Sequence, residues 1–126
     1  MPGSRYLSAR PNLPVADVTA AREYYRANLG FETTTPTEGF DLAIIGRDGV
    51  EVALLGPEAR FPDAGPASAY LTVEGVDALH EQVQAAGGVI DYPLTDEAWG
   101  LRNFVLKDAD GNRLTLGEWV DGRSGQ

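Results

Sequence analysis

The chain contains no cysteine, one histidine and one methionine in 126 residues. Without cysteine there is no disulfide frame, no thiolate metal site and no thiol nucleophile. The lone histidine cannot complete a two-histidine zinc helix: in His80-Glu81-Gln82-Val83-Gln84 the second ligand position is Gln84. On the polar side of a helical stretch, His80 is expected at the surface. No run approaches the roughly 20 apolar residues that a membrane span needs. The opening Met1-Pro2-Gly3-Ser4-Arg5-Tyr6 has no apolar signal core, so a cytoplasmic protein without membrane contact is expected. Positive charge is scarce, with ten basic against nineteen acidic side chains and a net charge of −9. That balance repels nucleic acid and favours small cationic partners, although acidity that serves only solubility reads equally well. There is no glycine-rich phosphate loop, and no serine has an adjacent base, which argues against a serine hydrolase. Asp108-Ala109-Asp110-Gly111 resembles part of a calcium loop, but Leu106 and Gly117 stand where that loop requires acids.

What is present is a pattern written twice. Asn103 to Lys107, the segment Asp108-Ala109-Asp110-Gly111-Asn112, then Arg113 to Leu116 reads as strand, tight turn, strand. Sixty-two residues earlier, Leu42 to Ile45, Gly46-Arg47-Asp48-Gly49 and Val50 to Leu55 read the same way. Upstream of each hairpin lies a strand and a helix that ends in glycine. Leu13-x-Val15 matches Leu71-x-Val73, with Gly30 and Gly87 following at nearly equal distances. The first strand, Arg10 to Val15, carries Pro11 and Pro14, which confine it to an edge, a bulge or an exchange between subunits. A helix is expected from about Ala20 to Asn28, capped by Asp17 or Thr19, with Ala21, Tyr24, Tyr25 and Leu29 toward its buried side. Val76, Leu79, Val83 and Ala86 set the second helix, with Asp77 near its start. Val89 to Tyr92 is read as extended and Pro93 to Gly100 as a loop. The tail from Asp121 to Gln126 is read as polar and frayed. One α+β domain over residues 1–126 follows, with repeat one over about 6–57, a connector over 57–67 and repeat two over about 68–120. Two βαβββ units would form a curved, partly open mixed β-sheet barrel with helices outside and a cavity between them.

Leu13-Pro14-Val15-Ala16-Asp17-Val18, Tyr24 to Phe31, Trp99-Gly100-Leu101-Arg102-Asn103-Phe104 and Asp108 to Asn112 come in an order that resembles the glyoxalase/bleomycin-resistance/extradiol-dioxygenase superfamily, the vicinal oxygen chelate fold. The resemblance spans residues 10 to 118. In the metalloenzymes of that family each repeat gives one ligand from its first strand and one from its last. Here those positions fall on Arg10 and Ala53, then on Ser68 and Thr115, with Glu51 as a lone carboxylate after a shift along the strand. None of the four is a competent ligand for a divalent first-row metal, so no metal and no cofactor are expected.

The resemblance then implies the bleomycin-resistance branch: a metal-free protein that sequesters a bulky, planar or cationic antibiotic or aromatic natural product without altering it, with no catalytic residue. Trp99, in Glu97-Ala98-Trp99-Gly100, and Phe40 stand where that branch keeps groove aromatics, although Phe40 also reads as a strand residue facing a core. Tyr70, Leu54, Ser68 and Thr115 complete the expected groove, and Tyr70 could equally be core. Glu38 and Asp41 beside Phe40, and Asp96 and Glu97 beside Trp99, would give an acidic rim, unless they are merely solvated. Arg102 would pair with one of these acids or with an acidic group on the ligand. Trp119 is read as packing a sheet edge or a dimer contact. The branch also implies a homodimer, with exchange of the first strand at Pro11. The rival is a lyase, isomerase or dioxygenase-like enzyme of the same fold that uses Glu51, Asp41 or Tyr70 as acid or base.

Overall fold

The structure, a computed structural model, describes residues 3–120; the expectation for the tail Asp121–Gln126 lies outside the described residues. Its elements run β1 (Asn12–Pro14), α1 (Val18–Leu29), β2 (Glu32–Thr35), β3 (Leu42–Arg47), β4 (Val50–Leu55), β5 (Ser68–Thr72), α2 (Val76–Ala86), β6 (Val89–Asp96), β7 (Leu101–Lys107) and β8 (Arg113–Trp119). Two mixed four-stranded sheets result, ordered β1-β4-β3-β2 and β5-β8-β7-β6. In each, the first strand lies parallel to the last and the other pairs are antiparallel. The α+β doubling read from the sequence is therefore observed, and neither sheet closes.

Local chemistry explains most boundaries. Asp17 caps α1 by accepting the Ala20 N–H at 3.0 Å, and Gly30, at φ 73°, closes it in the left-handed conformation that favours glycine. The helix starts at Val18, two residues earlier than expected from its apolar period, because the cap at Asp17 fixes the start. No side chain of its own caps α2; Gly75 occupies the cap, and the Glu118 carboxylate accepts the Val76 N–H at 3.0 Å from across the sheet. The first hairpin turns on Asp48 (φ 54°) and Gly49 (φ 83°), the doubly left-handed pair of a two-residue turn.

Two further boundaries differ from expectation. The strand that was to stop at Tyr92 runs on to Asp96, so the loop shrinks to the tip 97–100. Pro93 is accommodated because β6 is an edge strand whose register shifts between Tyr92 and Thr95. Phe40 does not head β3, which begins at Leu42; it sits in the preceding turn, where its N–H donates to the Thr37 carbonyl at 3.1 Å.

One core serves both halves. Tyr25 and Leu29 of α1, Val76 and Val83 of α2, and the helix-facing residues Ile45, Val52, Leu54, Phe104, Leu106, Leu114 and Leu116 form a single buried cluster. His80 is not a plain surface residue: its half-buried ring stands edge-on to Phe104 with centroids 5.0 Å apart. A polar clasp joins the halves. The Tyr25 hydroxyl donates to Asp108 Oδ2 at 2.7 Å, and the Tyr24 hydroxyl donates to the Lys107 carbonyl at 2.6 Å. Asn112 Nδ2 donates both to Asp108 Oδ2 and to the Pro14 carbonyl.

Candidate functional site

Each sheet has one face against a helix and one facing away, and strand alternation decides which side chain goes where. In the second sheet Tyr70 is registered with Thr115, Thr72 with Gly117 and Asn103 with Gly117. Leu114, Leu116, Phe104 and Leu106 are in the core, so Ser68, Tyr70, Thr115 and Asn103 share the face turned away from α2. In the first sheet Ala53 is registered with Asn12 and Ile44, and Glu51 lies two residues along on the same face. These away-facing surfaces are the candidate site.

The sheet brings Ser68, Tyr70 and Thr115 together as expected residues of one surface. Tyr70 is 43% exposed, and its hydroxyl oxygen accepts from Asn103 Nδ2 at 3.0 Å. That ring reaches over Gly117, where an added Cβ would lie 1.9 Å from the hydroxyl. Asn103, buried with its Oδ1 lacking a partner among the described residues, was not singled out from the sequence. Its signal was present: it is the polar alternate on the away-facing side of β7.

Phe40 (73% exposed) and Trp99 (61% exposed) sit at the tips that join the second and third strands of their respective halves. Gly100, at φ 96°, closes the Trp99 tip, with the Glu97 N–H donating to the Leu101 carbonyl at 2.7 Å. Glu38 is exposed beside Phe40. Asp41 is engaged elsewhere: its carboxylate accepts the Glu58 N–H at 2.9 Å and fills the space over Gly56. Leu54 is fully buried on the helix side. Arg102 also faces the helix layer, where it donates to Asp77 at 2.8 Å and to Asp96 at 3.0 Å. Those two carboxylates raise its already high pKa and keep it charged.

The residues at the family's metal positions do not fit a divalent ion. Arg10 is a cation, 3.9 Å from Glu51. Ala53 offers a methyl group, and Ser68 and Thr115 offer neutral hydroxyls. Among the described residues no group of three or more His, Cys, Asp or Glu side chains is placed to hold a metal. No helix among them is long and apolar enough to cross a membrane. A cavity of about 790 Å³ does exist, but none of the expected site residues lines it.

Over 127 aligned residues the chain is 29% identical to the bleomycin resistance proteins of Geobacillus stearothermophilus and Staphylococcus aureus, covering 87% of this chain and 95% of theirs. Among solved structures, TioX from Micromonospora sp. ML1 superposes with a TM-score of 0.76 at 20% identity, covering 89% of this chain and 99% of that one. A glyoxalase/bleomycin resistance protein from Catenulispora acidiphila DSM 44928 gives 0.72 at 27% identity, covering 90% and 98%. The family model for the Glyoxalase/Bleomycin resistance protein/Dioxygenase superfamily matches residues 8–116, and the chain belongs to that superfamily.

Proposed function

We propose that this chain is a metal-free binding protein that sequesters a bulky, planar or cationic antibiotic or aromatic natural product. The observation that carries the reading is the donor set: Arg10, Ala53, Ser68 and Thr115 cannot grip an ion, while the same second-sheet face presents the Tyr70 ring and hydroxyl. Likeness to bleomycin resistance proteins supports an antibiotic as the ligand. Exposed aromatic rings at Phe40, Trp99 and Tyr70 give a flat molecule surfaces to stack on, each worth about 0.5–1.5 kcal/mol beyond burial. Sequestration needs no chemical step; it works by mass action when affinity and copy number suffice.

The binding unit on this reading is a homodimer. Residues 3–10 form no element, and Tyr6 (99% exposed) and Leu7 (79% exposed) offer apolar surface to a second copy. β1 itself pairs with β4 of its own chain, so an exchange at Pro11 would carry only the arm ahead of it.

Titration with bleomycin-like, quinone and bis-intercalating antibiotics tests the proposal. At least one is expected to quench tryptophan fluorescence with about micromolar affinity or better. Trp99→Ala should weaken that binding and leave the melting temperature nearly unchanged. Silence across the panel, or stoichiometric zinc, nickel, iron or manganese in protein purified without chelator, overturns it.

A further inference from the structure

Because the halves are copies, the surroundings of one hairpin turn can be compared with those of the other. Ile45 faces Val52 as Leu106 faces Leu114, so Arg47 and Val50 occupy the places of Asp108 and Asn112. Leu13-x-Val15 and Leu71-x-Val73 set the helices in the same frame, which places Gln82 and Val83 of α2 where α1 has Tyr24 and Tyr25. At the second-half turn these four positions hold the buried clasp of tyrosines, aspartate and asparagine. At the first-half turn none of those groups is present, and the junction opens into the cavity of about 790 Å³.

The cavity has a definite chemical character. Its apolar wall includes Phe31, Leu79, Leu116 and Trp119. Three acidic residues line it, Asp48, Glu74 and Glu118, against one basic residue, Arg47. The Arg47 guanidinium is already engaged, donating to the Leu29 carbonyl at 3.2 Å and standing 3.5 Å from Asp48. Glu74 makes no hydrogen bond or ion pair among the described residues, and Glu118 uses Oε1 on the start of α2. The excess charge is negative beside an apolar wall, and the volume is that of pockets that take drug-sized molecules, about 300–1,000 Å³.

We propose that this junction is a second binding site, separate from the antibiotic groove, for a small organic cation with an apolar body, of the alkylamine or arylalkylamine class. The hydrocarbon part lies against Phe31, Leu79 and Trp119, and the ammonium is met by Glu74, Glu118 and Asp48. The site uses none of the residues assigned to the antibiotic groove, so it stands or falls independently of antibiotic sequestration.

Phenylbutylammonium and phenylbutyrate, alike in size and opposite in charge, are the probes. Proton–nitrogen correlation spectra resolve the two indole N–H signals, which a Trp99→Phe variant assigns. The ammonium is expected to shift the Trp119 signal saturably and leave Trp99 in place, while the carboxylate binds at least about tenfold more weakly. By calorimetry, Ala78→Trp, which fills the cavity from the exposed side of α2, should abolish binding. Glu74→Gln, at an exposed position, should weaken it about threefold and remains informative if the tryptophan variant does not fold. No saturable response at Trp119, a response at Trp99 instead, equal binding of the two probes, or full affinity in Ala78→Trp and Glu74→Gln each overturns the site. Antibiotic titrations on the same two variants should be unchanged, which separates failure here from failure of the groove.

Discussion

Tyr25 and Asp108 are both buried, and the hydroxyl-to-carboxylate bond between them crosses 83 residues of chain. Asp108 Oδ1 also accepts the backbone N–H groups of Asp110 and Asn112. Its removal therefore orphans several buried donors at once, and Asp108→Ala should cost about 3 kcal/mol or more, read as a drop in urea midpoint. Tyr25→Phe, which leaves the other donors in place, should cost about 1–2 kcal/mol. Burial first, then the Asp108 charge, pushes the Tyr25 hydroxyl far above the ordinary tyrosine value, and burial likewise raises Tyr24. The sign follows from the unfolded chain, whose tyrosines ionise near about pH 10 while the buried Tyr25 holds its proton to higher pH. The stabilising contribution is complete below that pH and is lost above it, by up to about 1.4 kcal/mol per pH unit for the buried Tyr25 and by less for the more exposed Tyr24. Urea midpoints measured between about pH 9 and 11 should fall, and Tyr25→Phe should remove its share of the slope. An unchanged slope in that variant would detach the tyrosine from the linkage.

Among the elements, the β3–β4 hairpin depends on a residue with no side chain. A Cβ on Gly46 would stand 2.2 Å from the Val50 carbonyl oxygen, and a backbone atom in a two-residue turn cannot step aside. Gly46→Ala should destabilise by about 1–3 kcal/mol, whereas Gly49→Ala meets open space and is penalised only by its positive φ. Thermal melts of the pair check this; equal melting temperatures would contradict it. Such a requirement is legible in sequence only where the chemistry is local. Asp17 capping α1 and Gly30 ending it could be read because cap and capped groups lie within one turn. The cap of α2 could not, since Glu118 reaches Val76 from 42 residues away. Pro93 misled for a related reason: a missing N–H ends a central strand but is tolerated at an edge bulge, and edge position belongs to the sheet. The site shows the same division. Ser68 and Thr115 were legible only through the resemblance, whose ligand positions they occupy; it is the parallel β5–β8 pairing that sets Tyr70 beside them on one surface. Arg102 was legible in its partner Asp96 but not in its face: where both faces of a strand carry mixed residues, alternation does not say which face a helix covers.

At the scale of the whole molecule the sequestration proposal predicts what one exposed arm does. Tyr6 and Leu7 are exposed, and among the described residues the backbone hydrogen bond nearest that end is from the Ala53 N–H to the Pro11 carbonyl at 2.9 Å. Two large side chains this exposed bury little within their own subunit, so deleting residues 1–10 should leave the fold of 11–120 nearly as stable, apart from the Arg10–Glu51 pair. If the arm crosses to a second copy, the same deletion removes apolar surface from the dimer contact and a wall from the groove. The truncated protein should then run as a monomer by light scattering and lose most of its antibiotic affinity, with a far-ultraviolet circular dichroism spectrum that is unaltered. The chain's charge of −9 adds a second signature: affinity for a cationic antibiotic should fall as salt rises and the Debye length shortens to about 8 Å near 0.15 M. A truncated protein that remains dimeric and binds as the full chain does would place the contact between subunits somewhere other than the arm.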